Sequence, residues 1–393
     1  MAFVRDLSLS AVVAGFVTVL VGFASAAAIV FQAAGAVGAS AAQLGSWMLA
    51  LGIGMGLTAI GLSLRYRTPV VTAWSTPGAA LLATGAAGLS IEEATGAFLL
   101  SAALVTLTGF SGWFERAMDR IPLPIASGML AGVLLRFGLG VFTAMSSELA
   151  LALGMFLTYL VGRRLAPRYA VVAALLAGIA VALVEGLLHL DALHVGLARP
   201  IWVTPRFSAG ATIGIGLPLF VVTMASQNVP GVAVIRASGY TLPVSPLLGW
   251  TGLANLLVAP FGGFTINLAA ITAAICMGRE AHEDPRRRYV AAVFSGLFYL
   301  IVGIFGATVV ALFVAFPPEL VTAIAGLALL ATIGNGLALA VGQANQREAA
   351  LVTFLVTASG VAVAGIGSAF WGLVAGVGTL AILHTTGRPR AAR

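Results

Sequence analysis

The chain has no lysine, one cysteine and few charges of either sign: 8% of its 393 residues are charged, against about 25% in soluble domains. Each scarcity excludes a class of function. Without lysine no phosphate-binding loop of the GxxxxGK[ST] type can exist, which argues against ATP-driven transport within this chain. The lone Cys276 allows neither an intrachain disulfide framework nor a cysteine-based zinc site, and reads as a small apolar packing residue. What remains is apolar: 60% of residues are hydrophobic and the mean hydropathy is +1.07. Runs of about 20 apolar residues, long enough to span a bilayer, recur from Ser10 onward. The short alternating segments of a transmembrane β-barrel are absent. The chain therefore reads as an all-α integral membrane protein. Its net charge of +7 does not point to nucleic acid, because all 20 cations are arginines and all but Arg136 lie in segments outside the apolar runs.

Apolar runs fall at about 10–31, 43–63, 70–87, 94–114, 122–145, 148–162, 169–188, 209–227, 241–258, 262–278, 289–314, 319–340, 349–364 and 366–384, fourteen in all. The first, LSAVVAGFVTVLVGFASAAA, resembles a secretory signal core, but only Arg5 precedes it, partly offset by Asp6, so it reads as a retained span. With both termini in the cytoplasm, the inner segments hold seventeen arginines and the outer loops only Arg199 and Arg206, as the positive-inside rule requires. A miscounted span would scramble that division. Two halves of seven about the long connection at 189–208 imply that the second half inserts upside down, the inverted-repeat plan of many secondary transporters. Residues 1–190 form the expected first repeat and 209–387 the second. Weak internal matches agree: Ser25 falls opposite Ser226, Pro69 opposite Pro260 and Thr76 opposite Asn267.

Two runs carry helix breakers in matching places. Span 3, TPVVTAWSTPGAALL, has Pro69, Pro77 and Gly78; span 10, APFGGFTINLAAIT, has Pro260, Gly262 and Gly263. Non-helical backbone at membrane depth is tolerated only when buried in protein or lining a cavity. Each span is therefore expected to enter as extended chain and turn helical halfway across. A half-helix start directs N–H groups and partial positive charge into the protein, which suits an anion, and Ser75, Thr76, Thr265 and Asn267 add side-chain donors. The plainer reading is that Pro and Gly merely kink packed helices. In span 8, VTMASQNVPG, Gln227 and Asn228 adjoin Pro230. That span is expected to unwind or end there, with its amides in a cavity or in a boundary loop.

Together TMASQNVPGVAVIRASGY, TAWSTPGAALL and FGGFTINLAAITAAIC closely resemble the BenE-type benzoate/proton symporter family, over nearly the whole chain. The resemblance implies proton-driven import of benzoate or a similar aromatic carboxylate across the bacterial inner membrane. It also implies a fold shared with nucleobase/ascorbate transporters and sulfate-type anion exchangers. In that fold spans 1–4 and 8–11 form a core domain, spans 5–7 and 12–14 a gate domain, and homodimers are common. Mapped onto this chain, the substrate site would use Ser25, Ser75, Thr76, Gln227, Asn228, Gly263, Thr265 and Asn267, with Phe23, Trp74 or Phe264 against the aromatic ring. One departure stands out. Nucleobase members of the wider fold carry buried carboxylates in spans 8 and 10, where this chain has Gln227, Asn228 and Asn267. A neutral, donor-rich pocket suits a carboxylate but leaves the proton carrier open between the substrate itself and a bound water. Coupling is still expected, because moving a lone anion into a negative cell costs about 2.3 kcal/mol per 100 mV.

Other residues are weighed and mostly set aside. Arg136, inside span 5, could be a counter-ion or could steady the gate domain. His189, Asp191 and His194 in HLDALH lack a fourth metal ligand and read as a solvated loop, so no metal or cofactor is expected. REAHEDPRRR, at 279–288, reads as a cytoplasmic loop with Arg286, Arg287 and Arg288 anchoring span 11 among lipid headgroups. Besides symport, the alternatives are an anion exchanger or facilitated carrier for another organic anion or nucleobase on the same fold. An integral membrane enzyme is disfavoured for want of converging acid, base or metal ligands.

Overall fold

The computed structural model describes residues 6–112 and 122–385, apart from 190, 192, 194, 280, 362 and 364–367. The first half holds α1 (Leu9–Ala36), α2 (Ala41–Tyr66), β1 (Thr72–Trp74), α3 (Thr76–Gly85), α4 (Ile91–Phe110), α5 (Leu123–Ser147), α6 (Leu149–Leu165) and α7 (Ala170–Val184). The second begins with α8 (Ala209–Arg236). It continues through α9 (Val244–Val258), β2 (Ile266–Leu268), α10 (Ile271–Met277), α11 (Tyr289–Ile304), α12 (Gly306–Val314), α13 (Pro318–Gly342), α14 (Arg347–Ser359) and α15 (Ser368–Thr385). Among the described residues, seven helices are long and apolar enough to cross a membrane. The count is eight with α1, whose parts Leu9–Phe23 and Ala26–Ala36 meet at 43°.

Local sequence explains where the helices start. Ser8, Ser40, Ser75 and Ser90 each accept a first-turn backbone N–H, and Gln43 and Glu93 complete capping boxes, satisfying donors that a helix start leaves orphaned. Two expectations are corrected. First, α8 neither unwinds nor ends at Pro230. It widens into a π turn over Met224–Asn228 and continues helically through Val229–Ala237. The longer-reaching bonds of that turn absorb the N–H that Pro230 lacks. Second, Arg288 is not spread among headgroups. It is 8% exposed and donates to the carbonyls of Met277 (2.7 Å), His282 (2.7 Å) and Glu283 (3.2 Å). Met277 ends α10, where carbonyls lack helical partners, and a guanidinium with five donors satisfies it together with two carbonyls of the following loop.

Packing pairs α2 with α11, α4 with α9, and α5 with α13. The α2–α11 contact is backbone on backbone: a Cβ added at Gly52 would lie 2.6 Å from Gly303 Cα, and one at Gly56 2.8 Å from the Gly296 oxygen. Small residues permit this approach where hydrophobic drive between helices is weak. The long connection after α7 lies as a strap across several elements. The N–H groups of His189, Ala198, Val203 and Arg206 donate to the carbonyls of Ala315, Ile304, Pro260 and Glu92, at 2.8–2.9 Å. Ile201 N–H donates to Ser46 Oγ (2.9 Å). His194, from the HLDALH stretch, lies outside the described residues.

The α2–α11 seam gives a direct test. Gly52→Ala should destabilise the detergent-solubilised protein by about 1–3 kcal/mol through overpacking. Gly61→Ala, with nothing within 4 Å of the added carbon, should be neutral or slightly stabilising. Thermal unfolding of the two variants side by side checks this.

Candidate functional site

β1 and β2 run antiparallel, with Thr72 opposite Leu268, Ala73 opposite Asn267 and Trp74 opposite Ile266. Ser75 N–H donates to Thr265 O (3.3 Å) and Ala269 N–H to Val71 O (2.9 Å), extending the ribbon at both ends. Sequence dictates the extended stretches. Val70, Val71 and Thr72 are β-branched, and Pro77 near the start of α3 presets the switch to helix. Before β2, Gly262 turns the chain at φ +96, in the left-handed region that glycine tolerates. A side chain there would also overlap the Trp47 indole.

A two-stranded ribbon leaves both outer edges unpaired, and buried backbone groups need partners. Asn255 on α9 supplies one clamp, donating from Nδ2 to Ile266 O (3.0 Å) and accepting Ile266 N–H. Asn228 in the π turn supplies the next, accepting Leu268 N–H at 3.1 Å. On the other edge, Trp74 N–H donates to Met55 Sδ (3.0 Å). Thr72 Oγ1 donates to Met55 O (2.9 Å) and shares a hydrogen bond with Thr58 (2.8 Å).

Within this frame the sequence candidates separate. Ser75, Thr265, Asn267, Asn228 and Trp74 all lie on or against the ribbon, and Thr76 opens α3 beside it. Asn267 pairs in register with Ala73. Ser75 does not face outward; its Oγ accepts Gly78 N–H at 3.0 Å and caps α3. Asn228 is likewise committed to the Leu268 backbone, while Gln227, one residue earlier in the π turn, is half-buried. Gly263 makes the tight turn into β2, its N–H donating to Val258 O (3.0 Å). Phe23 meets Trp74 edge to face at 4.7 Å and lies 6.2 Å from Tyr299. Phe264, fully buried, packs with Trp47 and Phe98. The backbone at Ser25 lies at the bend of α1; its side chain lies outside what the structure describes. Arg136 stands apart: it is exposed on α5, its guanidinium over Gly360 at the end of α14.

Two side chains at the ribbon are unusual. Thr265 and Asn267 are each 1% exposed, yet Thr265 Oγ1 and both polar atoms of Asn267 have no hydrogen-bond partner among the described residues. Buried polar groups are nearly always paired, which makes these atoms candidate ligand contacts; Trp47, Ser101, Thr223 and Thr357 also carry unpaired buried polar atoms, but not on the ribbon. What the geometry presents at Thr265 and Asn267 is a neutral set of donors and acceptors.

The model of the family described as benzoate membrane transport protein matches residues 5–382. The chain belongs to that family. Relatives include the inner membrane protein YdcO of Escherichia coli, 49% identical over 92% of this chain and 93% of that protein. The benzoate membrane transport protein of Acinetobacter baylyi is 42% identical over 95% of each. Among solved structures, the transmembrane domain of the cyanobacterial bicarbonate transporter BicA superposes with TM-score 0.58 at 12% identity, covering 95% of this chain and 98% of that one. The structure of SLC26A9 gives 0.56 at 13%, over 90% of this chain and 65% of that one. At those identities the likeness shows the fold. This member of the benzoate transport family is thus a membrane transporter of the bacterial inner membrane and not an enzyme.

Sequence reading missed Asn255, Thr58, Met55 and Tyr299. Asn255 alone left a trace, as an amide interrupting the apolar run GLANLLVA. For this family member, Asn255→Ala strands the Ile266 N–H and C=O in an apolar interior, at about 1–3 kcal/mol for each group. We expect a clearly lower unfolding temperature for Asn255→Ala than for the wild type, read by thermal unfolding of the two side by side.

Proposed function

We propose that the protein imports benzoate or a similar aromatic carboxylate together with protons by alternating access, and that the carboxylate binds at the β1–β2 crossing. The observation that carries this reading is the pair of buried, unpartnered side chains, Thr265 and Asn267. Asn267 Nδ2 and Thr265 Oγ1 are donors that a carboxylate would satisfy. The start of α3 adds its dipole. Pro77 has no N–H and Gly78 gives its own to Ser75, so Thr76 supplies the nearest remaining amide. Phe23 and Trp74 offer a wall for the ring, with Tyr299 behind them. Phe264 supports the turn instead, from within its own aromatic cluster.

The membrane arrangement in this reading is fourteen spans, with β1–α3 and β2–α10 as the discontinuous third and tenth. Residues 1–190 and 209–387 are inverted repeats, and both termini are cytoplasmic. The packing pairs support it. Exchanging the halves turns the α2–α11 pair into α9–α4, and maps α5–α13 and β1–β2 onto themselves. Core spans 1–4 and 8–11 would then move against gate spans 5–7 and 12–14, with Arg136 steadying the gate. Proton coupling rests on energetics and on charge. Among the described residues the one buried charged side chain is Arg288, and it is committed to the carbonyls of Met277, His282 and Glu283. With no buried carboxylate to carry it, the proton travels with the substrate or a bound water.

Radiolabelled benzoate uptake into proteoliposomes tests the reading. An inward proton gradient should drive accumulation that collapses with an uncoupler; uptake indifferent to the gradient would favour exchange or facilitated diffusion. Asn267→Ala should weaken benzoate binding about tenfold or more, the loss of one to two hydrogen bonds to a charged group, with the unfolding temperature retained. Unchanged binding by Asn267→Ala and Thr265→Val would remove the crossing as the site.

A further inference from the structure

A second cleft, of about 580 Å³, lies away from the ribbon and is lined by residues from four separate stretches. Asp6 comes from the N-terminal segment and Arg67 from the end of α2. Tyr240 comes from the α8–α9 turn, and Asp284, Arg286 and Arg287 from the α10–α11 loop. Its charges are unevenly committed. Arg287 Nε serves both carboxylates, 3.5 Å from Asp6 and 3.6 Å from Asp284. Asp6 also accepts the Tyr289 hydroxyl (2.8 Å), and Asp284 accepts the Arg286 backbone N–H (2.9 Å). The Arg67 and Arg286 guanidiniums, by contrast, have no hydrogen-bond or carboxylate partner among the described residues. Tyr240 donates to Pro285 O (2.9 Å) and fixes the wall between them. Its phenol is held above the ordinary range by burial and stays neutral.

Arg67 has a further peculiarity. At φ +48 it is the one positive-φ residue other than glycine among the described residues. It occupies the position after a helix where glycine is the easier choice. An arginine kept in that conformation holds its side chain at the rim of the cleft, and strained backbone of this kind concentrates at functional positions.

We propose that this cleft binds a phosphate oxyanion, the headgroup of an anionic phospholipid or a free phosphate ester, between Arg67 and Arg286. A phosphate presents acceptors on several sides and can take two guanidinium forks arriving from different loops, whereas a carboxylate offers a single plane. The arginine distribution places these loops on the cytoplasmic side, where basic pockets between membrane helices meet anionic headgroups. The site is independent of benzoate binding at the ribbon.

The test uses the purified full-length protein in neutral detergent. Its unfolding midpoint is followed while phosphatidylglycerol, phosphatidylcholine, or inorganic phosphate against chloride at equal ionic strength is added. Selective binding to the folded state should raise the midpoint by about 2 °C or more. A shift with phosphatidylglycerol but not phosphatidylcholine identifies a lipid; one with inorganic phosphate identifies a soluble ester. Arg67→Gly, which keeps the left-handed backbone, and Arg286→Gln should each abolish the shift while unfolding at the wild-type temperature without anion. Either variant alone suffices if the other fails to fold. No shift in the wild type with any addition, or equal shifts in wild type and both variants, would overturn the proposal.

Discussion

The structure depends on satisfying backbone hydrogen bonds where two apolar segments stop being helical. Two three-residue strands make a ribbon too small to stand alone, and each polar group left unpaired in an apolar interior is costly. The ribbon survives because its backbone edges are closed by side chains, Asn255 and Asn228 on β2 and the Met55 sulfur on β1, with Thr58 holding the Thr72 hydroxyl. These clamps have a second effect. They hold the segment on which Asn267 and Thr265 stand, whose buried polar atoms carry no hydrogen bond among the described residues. In the proposed reading, the network that stabilises the fold also positions the binding chemistry.

Close packing supports this arrangement from outside. Gly262 lets the Trp47 indole sit against the turn, and Phe98 and Phe264 complete an aromatic cluster over it. Arg288 holds the open end of α10 in place. The strap at 189–208 bonds to the starts of α2 and α4 and to the ends of the α11–α12 region. It therefore leads from α7, which the proposed mechanism assigns to the gate, onto elements assigned to the core, the first of these contacts being His189 N–H to Ala315 O. Motion between the bodies must leave those hydrogen bonds intact or exchange them.

Much of this was legible in the sequence, for identifiable reasons. Apolar run length and arginine placement are local properties and survive folding unchanged. Pro69, Pro77, Gly262 and Gly263 mark the broken segments because backbone restriction acts locally too. The SerThrPro sequence at 75–77 is a helix-start signature, so the capping role of Ser75 was readable in principle even though an outward donor was expected. What could not be read depends on distant partners. Asn255 matters because β2 returns beside α9, Arg288 because α10 ends beneath it, and Arg136 because α14 ends where its guanidinium lies. The π turn at Met224–Asn228 is a compromise between Pro230 and the surrounding packing, with no signature of its own.

The central claim is that the unpartnered polar atoms of the ribbon receive the substrate carboxylate. The most direct measurement is a structure with bound 4-bromobenzoate, the bromine located by anomalous scattering. The account predicts a carboxylate within about 3 Å of Asn267 Nδ2 and Thr265 Oγ1, with the bromine directed along the Phe23–Trp74 wall. A ligand seated elsewhere, with Asn267 and Thr265 unengaged, would contradict it.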